Sequence, residues 1–138
     1  MSMPVFVYGT LRHGHGNYNR LLRGRTTHEC PAVVEGELYS AHGRTSFPAL
    51  MPGTDRVHGE LMFIEEDQAD EVLQSLDRLE GYREGGHHNM YNRALADVLD
   101  PETGSVLHRA WVYYWNMNDI GERIVNGDWT NPEFAEAI

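Results

Sequence analysis

The sequence predicts an α+β domain whose sheet curls toward a barrel, and three observations carry that fold class. Short apolar stretches with strand periodicity recur along the chain, only a few stretches have helical spacing, and glycines and prolines punctuate the intervals. A length of 138 residues suits one domain over residues 1–138, because a single core commonly serves roughly 100–150 residues. At that size neither a disulfide framework nor a structural metal is needed to hold the core.

The elements follow in order. Pro4-Val5-Phe6-Val7-Tyr8 is apolar on both alternating faces, which predicts a central strand buried on both sides and ending at Gly9. Asn17 to Arg23 has an Asn cap and a terminal Gly24, the frame of a short helix. Ala32 to Tyr39 reads as a second strand, and Gly43–Gly53, with Phe47-Pro48 and Met51-Pro52, as an irregular loop. Val57 to Ile64 is a third strand. Glu65-Glu66-Asp67 then opens the longest helix, with acids in the first turn where the helix dipole favours them. Ala69, Val72, Leu73, Leu76 and Leu79 keep the helical apolar spacing, and Gly81 stops it. Tyr91 to Leu99 and Val106 to Trp115 alternate as strands, joined by the turn chemistry of Asp100-Pro101-Glu102-Thr103-Gly104. Asp119 to Val125 is expected to form a last helix.

Composition removes several function classes. The formal net charge of −10 and pI near 5.1 disfavour nucleic acid, which needs a basic face, and here the arginines are scattered singly among acids. All 11 basic residues are arginine, so a Walker-type phosphate loop and lysine Schiff-base chemistry are both excluded. A lone thiol, Cys30, excludes internal disulfides and fits a reducing cytoplasm. No export signal is expected from Met1-Ser2-Met3-Pro4, and no apolar run approaches a membrane span of roughly 18 residues. His13-Gly14-His15 and His87-His88 lack metal-ligand spacing and read as solvated loop histidines.

Three places are candidates for chemistry. Glu80 lies about 40° from Leu76 and about 20° from Leu73 around the helix, so a carboxylate sits on the apolar stripe, at a C-terminus where the dipole disfavours negative charge. Burial there raises its pKa and suits it to general acid–base work. The competing reading pairs Glu80 with an arginine such as Arg93, or lets it fray into solvent. Tyr8-Gly9-Thr10-Leu11 follows the buried first strand, where a glycine lets the backbone turn and aim N–H donors into a cavity. The plain alternative is an ordinary strand-to-loop turn. Trp111-Val112-Tyr113-Tyr114-Trp115 reads as core, with a tyrosine hydroxyl free to orient a polar ligand or to bond the carboxyl of Glu80.

Val5-Phe6-Val7-Tyr8-Gly9-Thr10-Leu11-Arg12, Val57-His58-Gly59-Glu60-Leu61 and Leu76-Asp77-Arg78-Leu79-Glu80-Gly81-Tyr82, in this order and spacing, resemble the γ-glutamylcyclotransferase-like family. Tyr91-Asn92-Arg93 and Ala110-Trp111-Val112-Tyr113 extend the likeness to about residue 115. Tyr8–Arg12 followed by a glycine and an asparagine is similar to the γ-glutamylamine cyclotransferase branch, and Ile124–Trp129 resembles short bacterial relatives.

The resemblance implies a small mixed β-barrel with flanking short helices and a cavity at one end. It also implies a catalytic glutamate matched by Glu80, and a substrate site lined by Tyr8, Gly9, Thr10 and Leu11, to which the aromatic strand is expected to add Tyr113. The implied reaction closes the α-amine of a γ-glutamyl amine or amide onto its γ-carbonyl, releasing 5-oxoproline and a free amine, with no metal or organic cofactor. The expected partner is that small-molecule substrate, with neither nucleic acid nor membrane. A reading from another class is a non-catalytic binding or regulatory module on the same barrel, since a fold alone establishes no activity.

Overall fold

The computed structural model describes residues 3–41, 47–118 and 120–129. Six strands form one sheet: β1 (Val5–Val7), β2 (Thr26–Ala41), β3 (Phe47–Ile64), β4 (Tyr91–Leu99), β5 (Val106–Trp115) and β6 (Ile120–Arg123). Two α-helices, α1 (Gly16–Leu21) and α2 (Ala69–Leu79), and a 3₁₀ turn over Glu66–Gln68 complete the described elements. The strand order is β3-β1-β5-β4-β2-β6, and a further β2–β3 pairing closes five of the strands into a ring, in outline the distorted barrel expected from the sequence.

β1 is antiparallel to β3, with Phe6 opposite Leu61, and parallel to β5, with Val5 opposite Trp111. Its two faces enter different cores, which accounts for its unbroken apolar run. Phe6 and Tyr8 join Val34, Leu38, Leu50, Val57, Leu61, Val98 and Val112, drawn from every strand of the ring, inside it. Val5 and Val7 join Leu22, Met62, Val72 and Leu76 between the sheet and the helices. Leu76 and Val72 are sealed there, so the apolar stripe of α2 packs on the outer face of β1.

Four expectations need correction. The stretch expected as an irregular loop up to Gly53 is the first half of β3 from Phe47 onward, paired to the end of β2; residues 42–46 lie outside the description. Its prolines argue locally against a strand; Pro48 sits in the ladder opposite Ser40, and Pro52 is tolerated because Gly36 pairs with Asp55 while Glu37 pairs with Met51. Pro52, Gly53 and Thr54 therefore bulge out of the ladder. β2 runs well beyond Ala32–Tyr39 at both ends for the same reason, since a long partner strand is available.

The expected last helix is instead strand β6, whose Arg123 pairs with Tyr39; Asp119 lies outside the description. An available edge on β2 outweighs local helix preference there. Asn17 does not cap α1. His15 holds that position without a side-chain bond, and Asn17 is inside the helix.

Candidate active site

α2 ends beside the mouth of the strand ring. Its last helical residue is Leu79, Glu80 takes the C-cap position, and Gly81 follows at φ 64°, the left-handed turn that stops a helix. This places the Glu80 side chain toward the outer face of β1, where it meets the loop that leaves that strand. A cavity of about 130 Å³ lies between them, lined by Tyr8, Gly9, Thr10, Leu11, Asn17, Pro48, Leu79, Glu80, Met90, Tyr91 and Tyr113 together with the end of β1. All six residues singled out in the sequence, Tyr8, Gly9, Thr10, Leu11, Glu80 and Tyr113, therefore share one wall system.

The loop owes its form to close packing. A Cβ on Gly9 would stand 2.6 Å from Cγ of Pro48, so any side chain collides with a rigid ring. Gly9 is absent from the left-handed glycines, and its role is this close approach rather than an unusual dihedral. Two loop carbonyls are engaged: Arg12 N–H donates to the Gly9 oxygen at 3.0 Å, and Tyr18 N–H to the Thr10 oxygen at 3.1 Å. The N–H groups of Gly9, Thr10 and Leu11 have no backbone acceptor among the described residues. Successive uncommitted N–H groups make a concave anion-binding surface.

Glu80 is the ionisable carboxyl of the cavity wall. Burial pushes its pKa up to about 7, with no hydrogen-bond or charge partner among the described residues to offset the desolvation. Arg93 does not pair with it. The Arg93 guanidinium lies 3.3 Å from Asp77 Oδ2 and stacks between Trp111, 4.3 Å from its ring centre, and Tyr82, at 5.1 Å.

The tyrosines of the wall are committed to the frame. Tyr8 O–H donates to the Tyr113 carbonyl at 2.6 Å, Tyr91 O–H to the Pro48 carbonyl at 2.6 Å, and Tyr113 O–H to Asp77 Oδ1 at 2.7 Å. Burial pushes all three hydroxyls well up, and the Glu80 charge adds to each. They stay neutral donors. The expected bond from a β5 tyrosine to Glu80 is thus replaced by one to Asp77, three residues earlier on the same helix.

Sequence reading missed Asn17, Pro48, Met90 and Tyr91 as cavity residues. Asn17 was assigned to a cap, whereas its amide donates to Thr10 Oγ1 at 2.7 Å and fixes that side chain on the rim. Its signal was the glycine–asparagine following the Tyr8–Arg12 motif. Pro48 lies within the stretch expected as a loop, and the signal at Tyr91 is its place in the Tyr91-Asn92-Arg93 strand start that extends the family likeness. His13, read as a solvated loop residue, is exposed but bonds Glu29 at 2.7 Å. No cluster of three or more histidine, cysteine or acidic side chains suited to a metal occurs among the described residues.

Known proteins share both the sequence pattern and the strand ring. The family profile of gamma-glutamyl cyclotransferase, AIG2-like, proteins matches residues 5–131. A Vibrio cholerae protein bearing gamma-glutamylcyclotransferase as a provisional name is 32% identical over 94% of this chain and 96% of its own. The gamma-L-glutamyl-butirosin B gamma-glutamyl cyclotransferase of Niallia circulans is 31% identical over 98% of this chain and 81% of its own. The solution structure of Escherichia coli ytfP superposes with a TM-score of 0.60 at 28% identity, covering 95% of this chain and 99% of that one.

Fold and relatives together define a cyclotransferase-type enzyme built on a small mixed barrel. The chain belongs to the gamma-glutamyl cyclotransferase, AIG2-like, family. No helix among the described residues is long and apolar enough to cross a membrane.

Proposed function

We propose that the protein cleaves a γ-glutamyl amine or amide by intramolecular attack of the α-amine, releasing 5-oxoproline and the free amine. The observation that carries this reading is the solitary carboxyl of Glu80, held near a pKa of about 7 by burial and facing a loop of uncommitted backbone donors. A base with that proton affinity is half ionised at neutral pH and serves both directions of proton transfer.

The chemistry asks little more of the chain. The nucleophile is part of the substrate, and holding it against the γ-carbonyl gives an effective molarity that reaches roughly 10⁵ M or more. Ionised Glu80 takes a proton from the α-ammonium group. The amine nitrogen then bonds the γ-carbon, and the carbonyl oxygen carries the negative charge. As that intermediate collapses, the C–N bond to the leaving amine breaks, protonated Glu80 gives its proton to the departing nitrogen, and the regenerated carboxylate takes the second proton from the ring nitrogen and passes it to the freed amine, which departs as its ammonium and leaves neutral 5-oxoproline.

No arginine or histidine lines the cavity among the described residues. Recognition of the substrate carboxylate or the developing oxyanion therefore falls to the N–H groups of Gly9 and Thr10. Leu11 and the rings of Tyr8 and Tyr113 exclude water, and the neutral hydroxyls keep further charge away from Glu80. No step calls on a metal or an organic cofactor.

At about 130 Å³ the cavity is well below the roughly 300–1,000 Å³ of sites that engulf a drug-sized ligand. It suits a glutamyl head, with the leaving group extending outside. The Niallia relative is named for a γ-glutamyl group carried on butirosin B, which supports a site built around the glutamyl head. A cytoplasmic setting fits the lone thiol of Cys30.

The test is incubation with γ-glutamyl amines, γ-glutamyl dipeptides and glutathione, scored by mass spectrometry for 5-oxoproline. Release from at least one class, lowered by roughly 10²–10⁴ in Glu80→Gln, is expected. Binding of 5-oxoproline without turnover of any member would move the protein to the non-catalytic module.

A further inference from the structure

Glu80 has no ion-pair partner among the described residues, and the strand residue opposite Tyr113, its neighbour in the cavity wall, is the cation Arg93. Arg93 is a buried guanidinium, its side chain 11% exposed. Its Nε and Nη1 have no hydrogen-bond acceptor among the described residues. Such a cation needs a counter-ion, and α2 offers two carboxylates, Asp77 and Glu80, at the i,i+3 spacing that puts them side by side. If Arg93 paired with Glu80, the carboxylate would be held in its ionised form and could not hand a proton to a leaving amine. The structure resolves the competition in favour of Asp77.

We propose that Asp77 is the positioning residue of Glu80: clasped by Tyr113 on one oxygen and by Arg93 on the other, it captures the arginine's charge and pins the last turn of α2 to β4 and β5.

The geometry divides the work between the two carboxylate oxygens. Tyr113 O–H donates to Oδ1 at 2.7 Å, which leaves Oδ2 facing Arg93 at 3.3 Å. Trp111 and Tyr82 sandwich the guanidinium and restrict its swing toward Glu80. The Asp77 carbonyl accepts the Tyr82 N–H at 2.8 Å, so the residue that binds the arginine also closes the helix end that carries Glu80. The titratable groups that feel the Glu80 charge are Tyr8 after β1, Tyr91 on β4 and Tyr113 on β5, and Tyr113 also feels Asp77 on the same helix as Glu80 and Arg93 on β4. The tyrosines stay neutral, and the Asp77–Arg93 pair, closed on itself, leaves burial as the one influence on Glu80, so opening the pair from either side exposes an uncompensated charge nearby.

This inference rests on the reading of Glu80 as the acid–base group, and the test separates the two. Asp77→Asn keeps the acceptor for Tyr113 and removes the charge. Arg93 is then uncompensated, and the acid limb of the kcat–pH profile is expected to move down by about one pH unit or more. Arg93→Met leaves Asp77 uncompensated and moves the limb up. The double variant Asp77→Asn/Arg93→Met returns it to the wild-type position.

Each limb is checked without substrate, from the pH-dependent stability difference between each protein and its Glu80→Gln counterpart. A limb and a stability titration that stay at the wild-type pH in both single variants overturn the proposal, whatever the loss of rate. If Asp77→Asn does not fold, an unmoved titration in Arg93→Met is sufficient to reject it. Titrations that move as stated while no γ-glutamyl compound yields 5-oxoproline would leave the positioning intact and reject the catalytic reading instead.

Discussion

Replacing Glu80 by glutamine tests the site through stability as well as rate. The side chain keeps its volume and has no hydrogen bond or ion pair to lose among the described residues, so the change acts almost wholly on charge. In the folded protein the carboxyl titrates at about 7 against an ordinary value of 4.5. Between those two values the native state holds a proton that the unfolded chain has released. Stability of the wild type therefore falls as pH rises through this window, and the contribution present below 4.5 is gone above about 7.

At about 1.4 kcal/mol per decade of proton affinity, the loss is on the order of 3 kcal/mol. The glutamine amide of the variant does not titrate. Glu80→Gln is thus expected to gain on the wild type by that amount from about pH 4 to about pH 8, or roughly 10 °C in melting temperature for a chain of this size. Turnover should drop by roughly 10²–10⁴ in the variant, and the acid limb of the wild-type profile should coincide with the stability titration. Melting curves recorded across pH for both proteins, with initial rates on one established substrate, supply the comparison. Parallel stability curves, with an acid limb that persists in the residual activity of the variant, would show a solvated structural residue and refute the reasoning.

Other perturbations have equally definite outcomes. Gly9→Val drives a branched side chain into Pro48 and should cost about 1–3 kcal/mol of stability as well as 5-oxoproline binding, read by thermal melts and calorimetry. Tyr113→Phe removes a hydrogen bond to a charged carboxylate and should lower stability by about 1.5–3 kcal/mol, measured by urea unfolding. Gly127→Ala drives a methyl group into the Arg56 carbonyl oxygen from a φ of 69°, so a large fall in melting temperature is expected. Exhaustive dialysis against a chelator should leave 5-oxoproline release unchanged, as the proposed steps use no metal.

Much of this was legible in the residues because local chemistry and tertiary context agreed. The β4–β5 hairpin has the predicted bounds, since alternation and the Asp100–Gly104 turn specify it together. Glu80 was legible because a carboxylate on an apolar stripe is a local contradiction, visible from spacing alone. What failed depended on partners far along the chain. The first half of β3 and all of β6 are strands only because β2 offers them an edge, and no short window contains that information. Gly9 was found for the wrong reason, because its constraint is Pro48, distant in sequence. Asp77 was read only as part of a motif, since its two partners lie on different strands.

The place of β1 in the ring bears on how the chain is made. Its neighbours are β3 and β5, and the parallel contact to β5 includes the Trp111 N–H donating to the Pro4 carbonyl at 2.9 Å. The first strand to leave the ribosome is therefore among the last to be flanked on both sides. Until residues past Trp115 have emerged, Phe6 and Tyr8 have no finished interior to enter, and the N–H and C=O groups along one edge of β1 have no ladder. Long-range closure of this kind is slow, and a nascent chain stalled before β5 presents an apolar, unpaired edge. The strand that carries the Tyr8–Leu11 loop is then also the segment whose protection from aggregation depends most on completing synthesis.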